Sequence, residues 1–170
     1  MAGRRSDLRR IRRECGRLLD GLRLPARADL AGLCGHLAAA RGRPLHVVPV
    51  SMRASQPCGL WLSTRDEDYV FYDADTGRAH QEHIILHEIG HLICGHTGGG
   101  DPVPDLFPDL DPDLVRAMLA RTTYSDEQEQ QAEVMAYLLA EILRAPSVDA
   151  DDVAARIADS LNHSAHREPR

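Results

Sequence analysis

The run Ile84-Ile85-Leu86-His87-Glu88-Ile89-Gly90-His91-Leu92-Ile93-Cys94 sets two histidines and a glutamate into an otherwise apolar stretch. Its spacing predicts one helix over Gln81 to Cys94, ended by Gly95. Four residues make about one turn, so His87 and His91 leave the same face roughly 6 Å apart. A helix this apolar must be covered on most sides, and a buried imidazole without a partner is costly. The chain therefore has to fold so that something polar meets this histidine pair.

Two ring nitrogens at that spacing can converge on one Zn²⁺ at about 2.0–2.1 Å each. His87-Glu88-Ile89-Gly90-His91 is an HExxH motif. Glu88 leaves from the neighbouring strip of the helix, where it reaches a water and not the metal, and can serve as general base. With nine His and nine Glu in 170 residues, a shuffled chain shows HExxH roughly 2% of the time. The bland alternative is a pair of core histidines, and the apolar setting makes that alternative expensive. One zinc per chain is expected.

A catalytic zinc site takes three protein ligands and keeps one position open. A metzincin would have its third His at position 97, which is Thr97. His96 would lie about 140° round from His91 if the helix continued, and it follows Gly95, so it is expected to face solvent. His83 is one turn before His87 but too far along the axis from His91 to share an ion with it. It and His80 are expected to line the same groove or to sit exposed at the helix start. The helical stretch Asp126 to Arg144 is the better source, with Glu129 and Glu133 one turn apart on one face. One of the two would ligate while the other orients a ligand histidine through its second ring nitrogen. Both assignments stand on the residues alone, with Glu129 favoured.

Elsewhere the periodicity gives helices over Asp7 to Leu22 and, from an Asp29 cap to Gly42, through Ala40. The stretches Leu45–Val50, Gly59–Ser63 and Tyr69–Tyr72 are β-rich, and Arg65 to Asp68 is a polar turn. They suggest a small, mostly antiparallel three-stranded sheet. Residues 97–112 read as a long loop, Asp113 to Arg121 and Asp149 to Leu161 as further helices, and 163–170 as a disordered tail. No linker divides the chain, so residues 1–170 are expected to form a single domain.

Charge is uneven. Residues 1–27 carry nine Arg against Asp7, Glu14 and Asp20, a net of +6, which leaves −12 for the rest of a chain whose total is −6. This basic helical arm reads as a solvated helix face. No aromatics interleave with its arginines, and an acidic chain is a poor general binder of nucleic acid, so none is expected as a partner. No apolar run reaches the length of a signal peptide or membrane span, and Cys15, Cys34, Cys58 and Cys94 form no CxxC pair. The expectation is a cytoplasmic chain with reduced thiols.

The run His80 to His96, followed by Glu129-Gln-Gln-Ala132-Glu133-Val-Met-Ala136-Tyr-Leu138-Leu139, resembles the ImmA/IrrE family of metallo-endopeptidases. The N-terminal helices, Cys58-Gly-Leu-Trp and Tyr69-Val-Phe-Tyr are similar too, so the likeness spans about residues 10 to 145. Met135 stands where that family usually has Phe, Glu133 where Asn is common, and Pro146 comes later than its usual proline. The resemblance implies an α+β, gluzincin-like fold with His87, His91 and Glu129 as zinc ligands and Glu88 as base, and the residue reading then leaves Glu133 behind the ligands. It also implies a zinc-dependent endopeptidase acting on an XRE-type helix-turn-helix repressor, and so regulating transcription. The rival expectation is a regulatory or toxin-type component that binds a partner and cleaves it rarely or never.

Overall fold

The computed structural model describes residues 2–25, 28–51, 58–96 and 124–144. The expected helices over 113–121 and 149–161, the 97–112 loop and the 163–170 tail lie outside them. In order come α1 (Ala2–Leu22), α2 (Leu30–Arg41), β1 (Leu45–Val50), β2 (Gly59–Ser63), β3 (Asp68–Asp73), α3 (Arg78–Cys94) and α4 (Asp126–Arg144). Among the described residues this is a mixed α+β arrangement of four helices and one three-stranded sheet.

Local chemistry fixes several helix ends. Asp29 caps α2 by accepting from the Gly32 N–H at 2.8 Å, and Gly42 closes it at φ 66°, the left-handed turn glycine takes without strain. Ser125 and Gln128 cap α4 reciprocally, each side chain reaching the other's backbone N–H. His36 of α2 donates through Nε2 to the Leu22 carbonyl at 2.7 Å, tying α2 to the end of α1.

The sheet differs from expectation. Its order is β1-β3-β2, and β2 runs antiparallel to β3 while β1 runs parallel to it. The tight Thr64–Glu67 turn makes β2 and β3 neighbours, with Thr64 N–H donating to the Glu67 carbonyl at 2.9 Å. The chain from β1 to β3 then passes through β2, long enough to serve as the crossover that a parallel pair needs. Pro49, which lacks an N–H, is tolerated because β1 is an edge strand among the described residues.

Val70 on β3 joins Ile11, Leu33, Ile85, Ile89, Met135 and Leu139 in one core drawn from all four helices and the sheet. The opposite sheet face makes a smaller cluster around Leu60 and Phe71. Asp68 is fully buried, yet Arg41 donates to it at 2.8 Å, Arg43 stands at 3.3 Å and Trp61 Nε1–H at 3.4 Å. A buried carboxylate needs such partners.

The most intimate helix contact is α3 on α4. A Cβ on Gly90 would stand 2.7 Å from the Ala132 carbonyl oxygen, so only glycine lets the backbones approach this closely. α1 covers the other side of α4, and its arginines meet acids there: Arg10 pairs with Glu127 at 2.7 Å and Arg12 with Glu141 at 3.2 Å. These pairs are solvated, as a helix face was expected to be, but α1 is docked by its apolar side. No helix among the described residues is long and apolar enough to cross a membrane.

Candidate metal centre

α3 presents His87 and His91 from one face, and the Gly90–Ala132 contact brings the first turns of α4 opposite them. His87 Nε2 and His91 Nε2 are 3.1 Å apart. Glu129 places Oε2 3.2 Å from the first and Oε1 3.9 Å from the second. Ligands at about 2.0–2.1 Å from zinc at the tetrahedral angle would be about 3.3 Å apart. The described residues contain this one group of three or more metal-binding side chains, His87, His91 and Glu129, that can hold an ion.

Hydrogen bonds behind the rings make the fit chemical as well as geometric. His87 Nδ1 faces Glu133 Oε2 at 3.3 Å. A carboxylate only accepts, so Glu133 can take a hydrogen bond from Nδ1–H, the tautomer that frees Nε2 for a metal, while Glu129 Oε2 at 3.2 Å faces Nε2 itself. On the other side Gln131 offers Oε1 to His96 Nε2 at 3.0 Å, and His96 Nδ1 stands 2.9 Å from His91 Nδ1. Gln131 Oε1 must accept, so His96 Nε2 donates and its Nδ1 accepts from His91 Nδ1–H. His91 Nε2 is thereby an acceptor too. With both rings protonated on Nδ1, two Nε2 lone pairs and the Glu129 carboxylate would converge on a cation.

His91 is 1% exposed. Burial, with His87 and His96 beside it, holds its ring down to about 3, so it is neutral at ordinary pH and able to ligate. Glu88, 6% exposed, does not belong to the converging group. Its Oε2 accepts from the Trp61 backbone N–H at 2.8 Å. Gly59 makes room for that carboxylate, since a Cβ there would lie 2.7 Å from Glu88 Oε1. Burial pushes Glu88 up to about 8, with the Trp61 N–H opposing and Glu129 adding to the rise.

His87, Glu88, His91, Glu129 and Gly59 line a cleft of about 300 Å³ between α3, α4 and the β2 edge. His80 and His83 line it as well, and His83 Nε2 pairs with Glu133 at 3.2 Å. Comparisons with protein-family models, curated proteins and solved structures gave no match for this chain.

The expected residues His87, Glu88, His91, Glu129 and Glu133 are thus gathered at one place, with Glu129 at the two Nε2 atoms and Glu133 behind His87. His96 is the correction. It is 5% exposed, not solvent-facing, because the helix does not continue past Gly95. Gly95, at φ 68°, donates to the Leu92 carbonyl, and His96 N–H donates to the His91 carbonyl at 3.0 Å. This Schellman turn folds the residue after the glycine back onto the last turn of the helix. The signal was present in the Gly95-His96 pair.

Tyr124 was also missed. Its ring stacks on His91 with centroids 3.7 Å apart and 19° between planes. Burial first, then Glu88 and Glu129, push its phenol well above the usual range, so it stays protonated. It lies just ahead of the α4 cap, outside any periodic pattern.

Proposed function

We propose that this chain is a zinc-dependent endopeptidase with His87, His91 and Glu129 as ligands and Glu88 as general base. The observation that carries the reading is the convergence of His87 Nε2, His91 Nε2 and the Glu129 carboxylate, with Glu133 and His96 placed behind the two rings at their Nδ1 atoms. Zinc held there would supply Lewis acidity, polarising a peptide carbonyl and acidifying a water.

The chain's own residues would do the rest. Glu88 lies in the same cleft without being a ligand, and a dication nearby favours its charged, proton-accepting form. The Trp61 N–H anchors one of its oxygens and leaves the other to take the proton. Tyr124 keeps a phenolic proton beside the ligands. Among the described residues β2 is an edge strand bordering the cleft, and an edge strand can pair with an extended chain through main-chain hydrogen bonds. That feature supports a peptide as substrate.

The resemblance to the ImmA/IrrE family narrows the substrate to an XRE-type helix-turn-helix repressor, with cleavage as the regulatory event. The test is to incubate the zinc-loaded protein with a repressor encoded beside it and follow cleavage with and without chelator. Cleavage that needs zinc and Glu88 supports the proposal. A partner bound tightly but left intact by the zinc-loaded wild type would instead favour the non-proteolytic component.

A further inference from the structure

We infer that His96, itself fixed by Gln131, holds His91 in its metal-binding tautomer and so sets the affinity of the site for zinc. The inference rests on the metal reading above and extends it to two residues outside the ligand set.

A neutral imidazole can carry its proton on either nitrogen. Only the form protonated on Nδ1 gives His91 a free Nε2 lone pair, and metal-binding histidines usually secure this form with a carboxylate, a backbone carbonyl or a water. Here the partner is another imidazole, His96 Nδ1 at 2.9 Å. Such a partner is ambiguous by itself, because it too can donate or accept at Nδ1. Gln131 Oε1, 3.0 Å from His96 Nε2, removes the ambiguity. It takes the only proton of the His96 ring and leaves Nδ1 to accept.

The backbone dictates that His96 is there at all. The Gly95 turn brings the residue after it over His91, where a helix end of this type usually places an apolar contact. Here that contact is a polar one, buried at 5% exposure. A buried imidazole is a costly choice for a mere cap, and the cost is offset if it orients a ligand. His96 is therefore a positioning residue. It acts through His91 and belongs to no step of the reaction.

The test is zinc affinity, measured by competition with a chromophoric chelator, for wild type, His96→Leu, His96→Asn and Gln131→Leu. Asparagine places its Oδ1 where the histidine had Nδ1, so it keeps the acceptor, whereas leucine removes it. His96→Leu should bind zinc about 10–100-fold more weakly, and His96→Asn should return close to wild type. Gln131→Leu should lose affinity in the same direction but less. The thermal midpoints of the metal-free proteins, measured alongside, show whether a variant has merely lost packing.

Wild-type affinity in His96→Leu would overturn the inference. So would equal losses in the Leu and Asn variants, since bulk and not the acceptor would then matter. If His96→Leu does not fold, Gln131→Leu decides, and an unchanged affinity there overturns it. A wild-type protein that takes up no zinc would sink the metal reading itself, a result distinct from all of these.

Discussion

At the residue scale, the chemistry separates side chains that look alike in sequence. Glu88 and Glu129 are both acids on helices, but one is buried against a strand N–H and the other meets two imidazoles across the cleft. Glu88→Gln should therefore keep zinc and lose hydrolysis by about 100- to 10,000-fold, the usual contribution of a positioned base. Metal content and turnover measured on the same preparation check this, and loss of zinc would show that Glu88 ligates or supports the site. Glu129→Ala would leave a dication on two neutral rings, so its zinc binding should collapse and excess metal should not restore it. Glu133→Ala removes the acceptor behind His87 and should cost about 10–100-fold, recoverable by raising zinc. Zinc titrations of the two variants in the opposite order would exchange their roles.

At the scale of elements, the site depends on how closely α3 and α4 approach. Gly90 lies inside the motif, and its missing side chain is what admits Ala132. Gly90→Ala should destabilise the fold by ~1–3 kcal/mol through overpacking. It should also weaken zinc binding, because Glu129 rides on the displaced helix. Thermal unfolding and a zinc titration read the two effects, and an unperturbed variant would mean the helices are not packed through this contact. The helices were legible in the sequence because their ends are local events: Asp29 at one, Gly42 and Gly95 at others, Ser125 with Gln128 at the last. Strand order was not, because nothing within Leu45–Val50 records that its neighbour is β3 and not β2. His96 was misplaced by extending helical geometry past the glycine that ends it. Trp61 acts through a backbone N–H, which leaves no trace in residue type.

At the scale of the whole molecule, one core holds α1, α2, the sheet and the two site helices together, so the metal and the fold should report on each other. The proposed ligands come from both α3 and α4, and zinc binding only the folded state would add about 2.7 kcal/mol at a hundredfold excess over Kd. For a chain of this size that corresponds to a rise of about 5–10 °C in Tm. Chelation should reverse it, and a chelator-insensitive midpoint would place any bound zinc away from this helix pair. The most direct test of the central claim is the metal content of protein purified without chelator and then equilibrated with zinc. One zinc per chain, lost when Glu129 becomes alanine, is the expected result. Protein that carries no zinc and takes none up would contradict the site, and with it the proposed peptidase.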